Sequence, residues 1–282
     1  MVSAKTYEQE VSSGERFKFG ENWTHFLLLL NEERIQQAIS SLTNMLEVES
    51  LEGKSFLDIG SGSGLFSLAA KRLGARVFSF DYDPQSVACT KELKSRYYEN
   101  DSSWQVDTRS VMDKEYLNKL GKFDIVYSWG VLHHTGDMWT ALDNVANNVA
   151  PHGKLFIALY NDQGGASKRW LKIKQIYNKL PIQLRPIFAA FVYFPREFRF
   201  FLIHLVRREP LEYFSSIINY SKTGRGMSWW HDLIDWIGGY PFEVSKPDQI
   251  FDFYKSRDFK LITLKTCAGG LGCNEFVFQR NK

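Results

Sequence analysis

Cysteine is scarce: Cys89, Cys267 and Cys273 are the only three in 282 residues, and no pair has CxxC spacing. That excludes a disulfide framework and fits a reducing compartment. Long apolar runs are also missing. The opening "MVSAKTYEQEVSSGERFKFGENW" has no apolar h-region of a secretory signal. The best spanning candidate, "IFAAFVYFPREFRFFLIHLV", is interrupted by Pro195, Arg196, Glu197 and Arg199. A cytoplasmic protein is expected, with peripheral membrane contact left open. Aspartate is absent from a whole region. Gln163 to Arg225 holds 12 Lys and Arg against 3 Glu and no Asp, about +9 in a chain whose net charge is +3. Something anionic is expected to meet that segment.

What is present suffices for an ordinary core: 44% of the residues are hydrophobic and 24% charged. Between Lys54 and Asn161, apolar runs alternate with helical periodicity, the pattern of βαβ units around a parallel sheet. The expected strands are "KSFLDIG", "RVFSFDYD", "WQVDT", "KFDIVYSW" and "KLFIALYN". Asp83 caps a helix that begins at Pro84, and "PHG" ends the helix before the fifth strand. Four parts are expected. Residues 1–50 form a helical lid, 51–161 a cofactor-binding core, 162–245 a basic, aromatic helical cap over the acceptor, and 246–282 a helix with the final strand pair.

The strongest motif is "FLDIGSGSGLF", where Gly60, Gly62 and Gly64 sit between a strand and a helix, so a ligand can approach the backbone. One strand later, Asp81 ends "VFSFD", where a carboxylate can accept both hydroxyls of a ribose. A dinucleotide fingerprint would need a third glycine where Leu65 stands, and Asp58 would repel a pyrophosphate. A carboxylate there suits a ligand carrying an ammonium group and a sulfonium, as S-adenosylmethionine does.

On these residues, Lys54 to Asn161 resembles the core of the class I S-adenosylmethionine-dependent methyltransferases, in particular the quinol O-methyltransferase type. The resemblance implies a doubly wound, seven-stranded Rossmann-like sheet whose last strand is antiparallel, with "KLITLKTC" and "NEFVFQRN" as the final pair. It implies that Asp58 and the Gly60, Gly62, Gly64 turn hold the amino acid part of the cofactor and that Asp81 holds the ribose. It puts Tyr82 against the adenine, Ser110 and Val111 at the adenine edge, and Trp129 beside the methionine moiety. Its relatives often read Glu-His where His133 and His134 stand, and this departure argues against borrowing a metal-assisted mechanism from them.

His133 and His134 follow the fourth strand at the edge where open α/β sheets bind ligands. Either they shape the loop, or one is a general base; adjacent residues cannot both face one pocket. His231, among Trp229, Trp230 and Trp236, is the rival base or part of a packed cap. No metal site is expected, since Cys267 and Cys273 flank a glycine turn without further ligands. Phe19, Gly20 and Trp23 form a lid or an anchor for the first helix. The acceptor is expected to be a small molecule methylated on oxygen in preference to carbon or nitrogen. It is quinol-like, or an anionic or lipid-linked molecule held by Arg196, Arg199, Arg207 or Arg208, or a surface glycan or natural product. Nucleic acid is disfavoured because the remainder of the chain is acidic. Two other classes stay open: a dinucleotide-dependent oxidoreductase and a non-catalytic cofactor-binding subunit.

Overall fold

In the computed structural model, which describes residues 6–220 and 229–281, three helices precede the sheet: α1 (Tyr7–Ser12), α2 (Gly20–Leu28) and α3 (Glu32–Leu46). The sheet then builds through β1 (Ser55–Ile59), α4 (Leu65–Arg72), β2 (Arg76–Asp81), α5 (Pro84–Tyr98), β3 (Trp104–Thr108), α6 (Lys114–Leu120) and β4 (Phe123–Trp129). A 3₁₀ turn, Leu132–His134, leads into α7 (Met138–Asn147) and β5 (Val149–Tyr160). The cap holds α8 (Gly165–Lys179), α9 (Arg185–Val206), α10 (Pro210–Ile218) and α11 (Trp229–Gly238). α12 (Pro247–Lys255), β6 (Phe259–Lys265) and β7 (Cys273–Arg280) close the chain.

The seven strands lie in the order β3-β2-β1-β4-β5-β7-β6, and β7 runs antiparallel to both neighbours. Side-chain alternation builds a core on each face. Leu155, Ile157 and Leu159 of β5 pack with Phe276 and Phe278 of β7 against Leu142, Val145, Ile250 and Tyr254 of α7 and α12. Phe156 and Val277, one residue out of phase, pack on the other face with Ile35, Leu42, Leu46 and Leu68 of α3 and α4. The helices start where the capping residues stand: Asp83 accepts from the Gln85 amide, and Asp137 from the Thr140 amide.

One boundary differs from expectation. β5 begins at Val149, paired with Phe123, and the Pro151-His152-Gly153 stretch lies inside the strand as an irregularity. A Cβ at Gly153 would sit 2.9 Å from the Ala150 and Asp124 carbonyl oxygens, so the chain crosses β4 there only as glycine. The apolar periodicity of α7 runs on into this strand, which is why Val149 reads as its last helical position.

Candidate functional site

The carboxyl ends of β1, β2 and β4 open into one cavity of about 1400 Å³. Ligand sites commonly span roughly 300–1000 Å³, so there is room for a nucleoside-sized cofactor and a second molecule together. The first glycine turn forms its floor. Gly60 (φ 79°) bends β1 away from the sheet, its amide and that of Ser61 donating to the Phe80 carbonyl at 2.8 and 3.2 Å. A Cβ on Gly60 would lie 2.4 Å from Val131, and one on Gly62 would lie 3.0 Å from the Trp23 ring. Both positions therefore exclude a side chain sterically as well as conformationally.

Asp58 and Asp81 line the cavity beside this turn. Burial lifts the Asp58 carboxyl to about 7, offset in part by the Ser67 hydroxyl, which donates to it at 2.5 Å. Behind it lies a relay. The Trp104 indole N–H donates to Ser79 Oγ at 3.0 Å, and Ser79 lies 2.7 Å from Ser67 Oγ. Because Ser79 accepts from Trp104 and Ser67 donates to Asp58, the Ser79 proton points to Ser67, and all three bonds polarise toward the carboxylate. Burial likewise lifts Asp81 to about 6, against bonds from the Asp83 amide (2.9 Å) and the Gly62 amide (3.0 Å) that favour its ionised form. A buried and a half-buried carboxyl raised in this way fit a ligand that brings a cation to one and hydroxyl donors to the other.

Tyr82, Ser110, Val111 and Trp129 also line the cavity. The N-terminal elements close over that end. The Gly20 amide donates to Asp83 Oδ2 at 2.8 Å, and Trp23 and Phe19 both face the cavity. Tyr7 meets the Tyr82 ring edge-on at 5.4 Å, and the Arg16 guanidinium lies 4.9 Å from the same ring. Sequence reasoning missed Tyr7 and Arg16; a tyrosine and an arginine in a polar leader carry no local signal of a ring 66 or more positions away.

The structure separates the two histidines. His133 is fully buried behind the cavity wall, its Nδ1 accepting from the Tyr160 amide at 3.3 Å and its ring 3.9 Å from the Tyr160 ring, and it does not line the cavity. Desolvation first, then the nearby His134 and Lys174, hold it well below its usual pKa. His134 lines the cavity. Its Nδ1 lies 2.5 Å from the Pro241 carbonyl, which can only accept, so Nδ1 carries the proton and Nε2 the lone pair. Burial pushes this imidazole down to about 3. Segment 241–243 pins the loop: the Glu243 amide donates to the His133 carbonyl at 3.0 Å, and the Glu243 carboxylate accepts from the Gly136 and Met138 amides. His231 lies on α11, and its side chain is outside the described part of the structure.

Beyond His134 the wall becomes aromatic. Tyr160 and Trp170 each stand 5.5 Å from Trp236, and Tyr193 and Trp229 complete that wall with Asp232, Asp235 and Arg196. Of the four arginines proposed to hold an anionic acceptor, only Arg196 reaches the cavity. Arg199, Arg207 and Arg208 lie on outer parts of the cap. Lys174, which composition places in the basic surface, is instead fully buried. Its Nζ donates to the Trp236 carbonyl and lies 4.7 Å from the Trp236 ring and 4.8 Å from the Phe242 ring; burial lowers it to about 7. The hairpin between β6 and β7 adds Leu271, Gly272 and Cys273 to the cavity rim.

This fold, with its glycine turn and paired acids, defines a methyltransferase. A family model described as a methyltransferase domain matches residues 30–189, more than half of the chain, and the chain belongs to that family as a class I S-adenosylmethionine-dependent methyltransferase. Among curated proteins, the ubiquinone biosynthesis O-methyltransferase of Rhodopseudomonas palustris (strain TIE-1) is 32% identical over 118 residues, which is 42% of this chain and 44% of that protein. The protein of the same name from Xanthomonas oryzae pv. oryzae (strain PXO99A) is 36% identical over 113 residues, 39% of this chain and 45% of that one. The chain thus spans less than half the length of these relatives. Among solved structures, magnesium protoporphyrin IX methyltransferase from Synechocystis PCC 6803 with bound S-adenosylmethionine gives a TM-score of 0.51 at 11% identity, covering 87% of this chain and 79% of that one. The 1,6-didemethyltoxoflavin-N1-methyltransferase of Burkholderia thailandensis gives 0.51 at 12%, covering 100% and 94%. At such identities the likeness is one of fold.

Proposed function

We propose that this chain moves a methyl group to an oxygen of a small aromatic acceptor, quinol-like in class, within the cavity that also takes the cofactor. The observation that carries the reading is continuity: one space runs from Asp58 and Asp81 past His134 to the Tyr160, Trp170, Tyr193 and Trp236 wall. In this reading Asp58 and the Gly60, Gly62 and Gly64 turn hold the amino acid part of S-adenosylmethionine, and Asp81 holds its ribose. Tyr82 lies against the adenine with Ser110 and Val111 at its edge, Trp129 flanks the methionine part, and the N-terminal helices act as a lid. The relatives named ubiquinone biosynthesis O-methyltransferase favour an oxygen acceptor. The polar groups of the acceptor end, Asp232, Asp235 and Arg196, are on balance acidic, which favours a hydroxyl-donating ring over a phosphate-bearing one.

When bound, the cofactor supplies a methyl carbon already activated by its positive sulfur. The chain then has mainly to position: aromatic walls restrict the acceptor ring, and alignment of this kind is worth roughly 7–11 kcal/mol in well-oriented cases. His134 is the base of this proposal. With Nδ1–H fixed on Pro241, Nε2 carries the lone pair that would take the hydroxyl proton of the acceptor. Burial in the ligand-free protein keeps the ring neutral at working pH and also weakens it as a base, so its part is to orient the hydroxyl and take the proton as the methyl group transfers. His133 has a structural part, setting the loop against Tyr160. The test is incubation with methyl-labelled cofactor, catechol and quinol acceptors, and fractionated cell extract. Label in an aryl methyl ether supports the reading, and label only in a sugar or an amine sinks it.

A further inference from the structure

The outer side of the cap carries an apolar surface that the reaction leaves unused. On α9, Ile187, Phe191, Phe194, Phe198, Leu202 and Leu205 recur at steps of three and four and are all exposed, Phe191 to 78% and Ile187 to 68%. They form one stripe along a helix of 22 residues, about 33 Å long. The opposite stripe, with Ala189 and Tyr193, packs into the cap core beside Leu233 and Ile237. α9 is therefore apolar on two faces, and only one is covered. α10 continues the exposed surface with Leu211 (79%), Phe214 and Ile218 (78%), and is joined to α9 through Phe201, whose ring lies 5.6 Å from Tyr213 and 6.1 Å from Phe214. Arg199, Arg207 and Arg208 border the surface and are exposed.

Contiguous apolar surface of this size marks an interaction site. Charge selects the occupant. Arg199, Arg207 and Arg208 stand exposed beside the stripe, so a second copy laid face to face would bring these cations together, whereas an anionic lipid surface complements them. No helix among the described residues is long and apolar enough to cross a membrane, so the geometry is that of a helix lying in the interface. We infer that α9 and α10 dock this protein on an anionic lipid bilayer, their apolar stripes among the acyl chains and their arginines at headgroup level. The arrangement has a consequence for the acceptor: the inner side of α9 supplies Tyr193 and Arg196 to the cavity, so the docked helix is also a wall of the acceptor end.

The test is flotation of the full chain with phosphatidylcholine vesicles, with and without phosphatidylglycerol, a readout independent of turnover. Binding is expected with the anionic vesicles and about tenfold or more weaker with neutral ones. The pair Phe191→Ser and Phe198→Ser is expected to weaken it about tenfold or more, and Arg207→Gln with Arg208→Gln about 25-fold, at about fivefold per arginine. Both variants should keep the parent's melting temperature and S-adenosylhomocysteine affinity, since none of these side chains enters a core or the cavity. Absence of flotation, equal binding to neutral vesicles, or unaltered binding by both variants overturns the inference. So does a dimer in sedimentation that the phenylalanine pair dissolves, because a second copy would then be the occupant. Failure of the methyltransfer reading would leave these measurements unaffected.

Discussion

Replacing Asp58 by asparagine gives the sharpest quantitative test of how the cavity is built. The carboxyl moves from an ordinary 3.8 to about 7 in the folded chain, with desolvation as the first cause. At 1.36 kcal/mol per unit, the ionised group costs the ligand-free protein roughly 4 kcal/mol at high pH. A raised folded pKa means that the folded state binds more protons than the unfolded chain between pH 4 and 7. The favourable contribution is thus complete below pH 4 and is lost as the pH rises through 7. Roughly 2.5 kcal/mol of that loss falls between pH 5 and 8, about 5–10 °C of melting temperature for a chain of this size. Asparagine does not titrate. Thermal unfolding of both ligand-free proteins is expected to show the variant gaining on the parent by about 5 °C or more from pH 5 to pH 8. S-adenosylhomocysteine at pH 8 should then favour the parent if, as proposed, its ammonium pairs with the carboxylate. A gap between the two proteins that is the same at both pH values would refute the reasoning.

Four further outcomes follow from the same geometry. His134→Ala should lower turnover at least about tenfold with nearly unaltered cofactor affinity. A conservative substitution of His133 should instead cost stability, read by denaturant midpoints, because that ring is buried against Tyr160. Gly60→Ala should destabilise by roughly 1–3 kcal/mol, and Val131→Ala should recover part of the loss in a double-mutant cycle, since the added Cβ meets Val131. Lys174→Met should stabilise most below pH 7. The buried ammonium's folded pKa of about 7 lies below its ordinary 10.5, so the parent recovers stability as the pH rises between these values, and the difference in unfolding free energy should shrink from pH 6 to pH 10.

The sheet and the cofactor end were legible in the sequence because their signals are local. Buried strands read as apolar runs, Asp83-Pro84 marks a helix start, and three glycines in five residues can hardly serve another geometry. The acceptor end was less legible because its determinants are tertiary. Which histidine faces the cavity depends on the Pro241 carbonyl, more than 100 residues away, and on Tyr160 taking the other ring. Basic composition pointed to an anionic ligand, whereas the structure buries Lys174 under Trp236 and Phe242 and sends Arg199, Arg207 and Arg208 outward. The relay from Trp104 through Ser79 and Ser67 to Asp58 was invisible for the same reason: its members stand on four separate elements.

Calorimetric titration of S-adenosylhomocysteine into the full chain and into Asp81→Ala bears most directly on the central claim. One site per chain is expected, with affinity falling about 100-fold in the variant as two hydrogen bonds to a charged group are lost. Binding of NAD in place of S-adenosylhomocysteine, or equal affinity in the two proteins, would contradict the account.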